Sequence, residues 1–188
     1  MRRVLNLYRS SVGKKVFMAV TGVIFVLFVI AHMLGNLKAF MGSEHFDEYA
    51  HYLREFGEPI LPYGVALWIF RIVLLAALGV HSIAAVQTWW LSRRARPVRY
   101  GRGLDPEEST IASRTMRWGG VVLFLFVVGH LLHFTVGTLH PEFVPGAAYN
   151  NLVIGFEAEW VAILYIAVML VLCLHLYHGI WSGLQTLG

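Results

Sequence analysis

The chain has 188 residues, of which 57% are hydrophobic and 14% are charged, and its mean hydropathy is +0.63. This composition is too apolar for a soluble domain of this length and is typical of polytopic membrane proteins. The formal net charge of +4 comes from basic residues that flank apolar segments, so it gives no reason to expect nucleic acid as a partner. The single cysteine, Cys173, excludes a disulfide, a CxxC redox pair and a thiolate-ligated iron–sulfur cluster within this chain.

Four long segments lack Asp, Glu, Lys and Arg. They are residues 16–37, 72–92, 118–141 and 160–188, and the second extends back to Pro62 across a single charge, Arg71. Each has the roughly 20 residues that a helix needs to span a membrane. We therefore predict an all-α fold, a polytopic transmembrane bundle with four spanning helices.

A shorter helix is predicted between the first two spans, in the segment "EHFDEYAHYLREFGEP". Its large apolar residues recur at helical spacing; they are Phe46, Tyr49, Leu53 and Phe56. This pattern is typical of an amphipathic helix that lies at a membrane surface, and Gly57 and Pro59 are expected to end it.

The basic residues predict the orientation of the chain. Most lie before the first span or in the loop at residues 93–114; they are Arg2, Arg3, Arg9, Lys14, Lys15, Arg93, Arg94, Arg96, Arg99, Arg102 and Arg114. Residues 134–160 contain no Lys or Arg. The positive-inside rule therefore places the N-terminus and the middle loop in the cytoplasm. We expect a single domain, residues 1–188, with halves at residues 1–95 and 110–188.

The two halves resemble each other. The segment "GVIFVLFVIAH" ends at His32 and "GVVLFLFVVGH" ends at His130, each with a Gly ten residues before the His. The second and fourth spans align more weakly around His81 and His175. A duplicated helix pair explains both matches, although apolar helices also resemble each other by chance.

The depths of these four histidines can be estimated from the rise of a helix. At 1.5 Å per residue, His32 and His130 lie about 24 and 21 Å above the cytoplasmic side. His81 and His175 lie about 26 Å below the outer face, since their helices run in the opposite direction. The four residues thus fall into two layers, and each layer holds one His from each half.

Two neutral imidazoles facing each other are the axial ligands that a six-coordinate haem iron requires. The flat macrocycle also needs small residues nearby, and glycines occur within four residues of each His; they are Gly35, Gly79, Gly129 and Gly179. The hypothesis is two haem layers. Packing between helices and a proton relay are the alternatives. Zinc is disfavoured because the layers are too far apart for one tetrahedral site.

Two further histidines compete for the ligand role, because His133 and His178 each lie one turn beyond a candidate. The repeat favours His130, since the position in the first half that corresponds to His133 is Gly35. For His175 and His178 the residues alone leave both alternatives open.

The sequence resembles the di-haem cytochrome b membrane anchor of succinate:menaquinone oxidoreductases and quinol:fumarate reductases. The resemblance covers essentially the whole chain. It is carried by "SSVGKKVFMAVTG" followed by "AHMLGN", by "GVHSIAA", by "GHLLHFT" and by "LHLYHGIWSGLQTLG". It implies two haems b, with His81 and His175 as ligands of the proximal haem and His32 and His130 as ligands of the distal one.

The resemblance also implies a function. A flavoprotein subunit oxidises succinate, an iron–sulfur subunit passes the electrons on, and this subunit relays them to menaquinone in a bacterial cytoplasmic membrane. The chain itself would have no catalytic site for succinate. A haem-free transporter, or an anchor that carries no electrons, is the alternative.

Three acidic or basic residues are candidates for the quinone site or for a haem propionate. Glu55 and Glu58 lie in the outer loop where the family places a carboxylate near the quinone, but they would equally solvate the surface helix. Arg71 would pair with a propionate or a quinone oxygen, or would extend to the interface. Two departures from the family concern Cys173, where some members carry a proton-transferring Glu, and the fifth spanning helix that the family usually has.

Overall fold

The computed structural model describes Tyr8 and residues 10–95 and 110–188, which form helices and no strand. Six α-helices follow along this part of the chain: α1 (Ser11–Leu37), α2 (Ser43–Glu55), α3 (Val65–Arg94), α4 (Ile111–His130), α5 (Ala148–Gly155) and α6 (Glu159–Leu187). A 3₁₀ turn, Lys38–Met41, continues α1, and a π-helical turn, Leu131–Val136, continues α4. The all-α prediction is confirmed.

Four of these segments are long and apolar enough to cross a membrane. They are Ser11–Met41, Val65–Arg94, Ile111–Val136 and Glu159–Leu187. They confirm the four predicted spans. Large apolar side chains along them face outwards: Leu27, Leu125 and Leu170 are 64%, 63% and 65% exposed. Such exposure is unfavourable in water but suits a lipid environment, which indicates an integral membrane protein.

The first and third spans begin earlier than the uncharged segments suggest. The hydroxyl of Ser10 accepts a hydrogen bond from the backbone N–H of Gly13 at 2.9 Å. Thr110 does the same for the N–H of Ser113 at 3.2 Å. These hydroxyls satisfy N–H groups that a helix start leaves without an intrahelical partner. Basic residues lie in the first turns of both spans. They are compatible with these earlier starts because their long side chains can extend to the membrane interface.

Helix α2 confirms that a short helix lies between the first two spans, and it ends at Glu55. Its position at a membrane surface stays a prediction. Phe46 is buried on its inner side and contacts the ring of Tyr149 at 6.2 Å between centroids. The carboxylate of Asp47 accepts the backbone N–H of Tyr149 at 2.9 Å. Asp47 therefore caps the start of α5, where a negative charge is favourable. Helix α5 itself was not predicted from the sequence.

The chain divides into two compact units, which are described separately. The first comprises Met1–Val29, Phe70–Arg114 and Leu176–Gly188, and the second comprises Ile30–Ile69 and Thr115–His175. His81 belongs to the first unit, whereas His32, His130 and His175 belong to the second. The basic residues Arg2, Arg3, Arg9, Arg96, Arg99 and Arg102 lie outside the described residues, so the predicted orientation stays a prediction. The same holds for the single domain and its two halves.

Candidate functional site: the membrane histidines

His32 on α1 and His130 at the end of α4 face each other within the second unit. Their ring centroids are 5.8 Å apart and the ring planes are nearly perpendicular, at 88°. A metal–imidazole bond is about 2 Å long, so two rings that share one metal ion have centroids about 6 Å apart. The separation of His32 and His130 is therefore compatible with two rings that hold one metal ion, and their role as haem ligands stays a prediction.

His133 occupies a different environment from His130, although it follows one turn later. It lies in the π-helical turn and is only 8% exposed. Its ring packs against Phe134 at 4.1 Å and His140 at 5.3 Å. A π-helical turn holds an extra residue and is common at functional sites. The ring of His130 contacts His32, and the choice of His130 over His133 as a ligand stays a prediction.

Tyr165 on α6 connects His130 and His133. Its hydroxyl oxygen lies 3.3 Å from Nδ1 of each ring. Aromatic neighbours hold the Tyr165 ring in place: Phe126 at 4.8 Å and Phe156 at 4.9 Å between centroids. A phenol has one proton to donate, so if both hydrogen bonds form, at least one of the two Nδ1 atoms carries a proton.

His140 has a structural role. Its Nδ1 accepts the backbone N–H of Glu142 at 3.2 Å, so the ring proton lies on Nε2. This Nε2–H donates to the backbone carbonyl of Asn151 at 2.8 Å. The Asn151 side chain in turn accepts the N–H of Val144 and donates to its carbonyl, at 2.9 and 2.7 Å. Both ring nitrogens of His140 are therefore used to fold the segment before α5.

His81 on α3 is held by Thr21 on α1, within the first unit. The Thr21 hydroxyl lies 3.0 Å from Nδ1 of His81 and donates its proton to the Phe17 carbonyl at 2.8 Å. With that proton on a backbone carbonyl, Thr21 accepts from the ring, and Nδ1 of His81 carries a hydrogen. This tautomer leaves the lone pair on Nε2. A histidine that ligates through Nε2 requires this arrangement.

Two glycines related by the repeat lie against the histidines of the second and fourth spans. A Cβ at Gly22 would stand 3.8 Å from Cε1 of His81, and one at Gly120 would stand 3.7 Å from Cε1 of His175. The two contacts are equivalent in the two halves. They favour His175 over His178 as the counterpart of His81, and the ligand role of His175 stays a prediction. Because His81 and His175 belong to different units, their pairing stays a prediction.

The glycines next to the histidines differ in their surroundings. A Cβ at Gly79 or Gly129 would meet no described protein atom within 4 Å, which is the space a flat macrocycle needs. Gly35 is different, because a Cβ there would lie 2.7 Å from the ring of Tyr49. The expectation that Gly35 makes room for a macrocycle is therefore wrong, since a side chain of α2 fills that space. The role of Gly179 stays a prediction.

The chain also resembles a known family by direct comparison. Residues 92–184 match the family model of the succinate dehydrogenase/fumarate reductase transmembrane subunit. This match supports the predicted family. It spans the second half of the repeat, including His130, Tyr165 and His175. No curated protein and no solved structure matches the chain.

The two acidic residues predicted for the quinone site, Glu55 and Glu58, are exposed. Glu55 contacts Nδ1 of His51 at 3.3 Å, and their side chains are 48% and 61% exposed. This is the geometry of a solvated pair on a helix surface. Glu58 is exposed in the turn after α2, and Arg71 is half-buried on α3. Their roles at a quinone or a propionate stay predictions.

Sequence reasoning missed Thr21 and Tyr165, the two hydroxyls that contact the ligand candidates. The repeat offers a signal for Tyr165, because Tyr165 occupies the position that the candidate Arg71 has in the first half. Tyr165 lies ten residues before His175, and Arg71 lies ten residues before His81. No such signal marks Thr21. Its counterpart in the second half is Gly119, where an added Cβ would lie 3.4 Å from Val171.

Proposed function

We propose that this chain is the cytochrome b membrane anchor of a succinate dehydrogenase or fumarate reductase complex, and that it relays electrons between the iron–sulfur subunit and menaquinone. The observation that carries this proposal is the facing pair His32 and His130, on two spanning helices related by the repeat, with ring centroids 5.8 Å apart. The family match over residues 92–184 supports it independently.

Four histidines would hold two haems b: His32 and His130 one of them, and His81 and His175 the other. When bound, each haem supplies a one-electron carrier whose iron alternates between two oxidation states. The protein contributes the donor atoms, and the tautomer of His81 is suited to this because its Nδ1 donates to Thr21 and its Nε2 keeps the lone pair.

The surroundings of this relay follow from the same assignment. The complex would contain a flavoprotein subunit and the iron–sulfur subunit, in a bacterial cytoplasmic membrane with the N-terminus of this chain in the cytoplasm. Glu55 or Glu58 would exchange protons with the quinone, and Arg71 would bind a propionate or a quinone oxygen. The chain carries out no chemistry on succinate itself.

A haem-free proton carrier is the second candidate function. It is favoured by one observation, the contact of Tyr165 with both His130 and His133, because hydroxyl and imidazole groups in series transfer protons. The two candidates differ in cofactor content, which can be measured directly.

The test is the haem content of the purified complex. We expect two haems b per chain, from a reduced-minus-oxidised spectrum and a pyridine haemochrome assay. The variant His175→Leu should retain one haem, and its matched control His178→Leu should retain both. A complex without haem would overturn the electron-transfer function, and equal haem loss in the two variants would overturn the assignment of His175.

A further inference from the structure

We infer that Tyr165 is a positioning residue for His130: its hydroxyl accepts the Nδ1 proton of His130, donates to His133, and so orients and strengthens one axial ligand. The inference rests on the proposed function, since it concerns the ligand role of His130. It adds two residues, Tyr165 and His133, that act on the iron through His130.

Ligation through Nε2 of His130 would define the direction of the hydrogen bonds of Tyr165. A His130 that ligates through Nε2 must carry its proton on Nδ1, and this N–H can only donate. The Tyr165 oxygen, 3.3 Å away, is therefore the acceptor. The hydroxyl proton of Tyr165 is then available to Nδ1 of His133, also at 3.3 Å. One direction of donation thus satisfies all three groups.

The surroundings of Tyr165 hold its hydroxyl in place. Phe126, Phe134 and Phe156 surround its ring, with centroids at 4.8, 5.9 and 4.9 Å. A ring enclosed on several sides loses little further freedom when its hydroxyl forms hydrogen bonds. Tyr165 can therefore fix the rotation of the His130 ring as well as its tautomer.

The buried position of His133 is explained by the same arrangement. A polar ring that is 8% exposed needs a hydrogen-bond partner. The Tyr165 hydroxyl provides one. Gly155 makes room for the rings of Phe134 and His133, because a Cβ there would lie 2.7 Å from Cε1 of Phe134 and 3.3 Å from Cε1 of His133. When the Tyr165 hydroxyl donates to His133, its oxygen becomes a better acceptor for His130, because hydrogen bonds in series reinforce one another.

The hydrogen bond to Tyr165 is expected to lower the reduction potential of the haem bound by His130. A hydrogen bond from Nδ1 gives the imidazole more anionic character, which strengthens its bond to the oxidised iron. Loss of the Tyr165 hydroxyl should raise the potential of the haem bound by His130. The other haem depends on Thr21 for the corresponding hydrogen bond to His81 at 3.0 Å, and it should not respond.

The test compares Tyr165→Phe with Thr21→Val in the purified complex, by potentiometric titration and by electron paramagnetic resonance of the oxidised haems. Both variants keep the shape of the side chain and remove one hydroxyl. Tyr165→Phe should raise the potential and shift the low-spin signal of one haem, and Thr21→Val should change the other haem. The variants His32→Leu and His81→Leu assign each signal to its site.

Two further outcomes are decisive. Unchanged potentials and spectra in Tyr165→Phe, with both haems bound, would overturn the inference while leaving the proposed function intact. A complex that binds no haem in its unaltered form would instead refute the proposed function. Should Tyr165→Phe fail to assemble, His133→Phe replaces it: a smaller rise at the same haem supports the inference, and no change overturns it.

Discussion

The contact of His81 with Thr21 and the contact of His130 with Tyr165 place two candidate ligands in different polar surroundings. At His81 the partner is a small hydroxyl whose proton is already donated to the Phe17 carbonyl. At His130 the partner is a phenol in an aromatic enclosure, and it also reaches His133. Different residues therefore orient the two rings. Such a difference would allow two haems with the same ligands to differ in potential.

The largest expected effect comes from replacing His130, one of the two histidines compared above. If the proposed function is right, His130→Leu should reduce the haem content from two to one per chain, because a single protein ligand would hold the haem more weakly than two. The control His133→Leu removes a neighbouring buried imidazole and should leave both haems in place. Haem assays of the two purified variants check this. One haem lost from His133→Leu, and none from His130→Leu, would assign the ligand to the other ring.

The second prediction uses the equivalent glycines, Gly22 and Gly120. Leucine at either position would collide with the facing ring, His81 or His175, and should strongly reduce binding of one haem. Alanine should be tolerated, since a Cβ would lie at ordinary contact distances of 3.8 and 3.7 Å.

This prediction also tests the pairing of His81 with His175. If the two rings share a haem, Gly22→Leu and Gly120→Leu lose the same spectral component, and His32→Leu loses the other. Loss of different components from the two glycine variants would refute the pairing. The spectra of the reduced complexes, recorded at low temperature, distinguish the components.

A smaller effect is expected at the start of α5, which belongs to the second unit. Asp47→Ala removes the carboxylate that accepts the Tyr149 N–H at 2.9 Å. Loss of a helix cap costs about 1 kcal/mol of stability. Asp47→Asn keeps an acceptor oxygen and serves as the control. The thermal unfolding midpoint of the detergent-solubilised complex should fall for Asp47→Ala and change less for Asp47→Asn; equal falls would argue against the cap.

The smallest effect on stability is expected at Glu55. Its pair with His51 is half-exposed, and such pairs on a helix contribute about 0.3–0.5 kcal/mol. Glu55→Gln should therefore leave unfolding and haem content nearly unchanged. If Glu55 exchanges protons with the quinone, the same variant should slow quinone reduction several-fold, whereas Glu58→Gln should not. Steady-state rates with a soluble menaquinone analogue measure this, and equal rates in Glu55→Gln and the unaltered complex would remove Glu55 from the quinone site.

Hydropathy and spacing predicted the parts of the fold that depend on local sequence. The four spans follow from uncharged segments, and α2 follows from apolar residues at helical spacing. Helix α5 was missed because its start depends on Asp47, which lies 102 residues before Tyr149 in the chain. Its eight residues are too few to give a clear periodic pattern.

The histidines were recognisable from the sequence because an imidazole within an apolar span is rare and because the repeat marks equivalent positions. Their partners were not, since a hydroxyl in a spanning helix usually bonds to its own backbone. Thr21 does so through Phe17, and only the structure reveals that it also faces His81. For the same reason Gly35 looked equivalent to Gly129, although the ring of Tyr49 fills the space beside it.

The most direct test of the central claim is a count of haems with two histidine ligands in the purified, oxidised complex. Electron paramagnetic resonance, together with a chemical haem assay, gives the number and the spin state of the ferric ions. We expect two low-spin ferric haems b per chain, one of which disappears in His130→Leu. No haem, or a high-spin ferric signal that is unaffected by His130→Leu, would contradict the claim that paired histidines hold both haems.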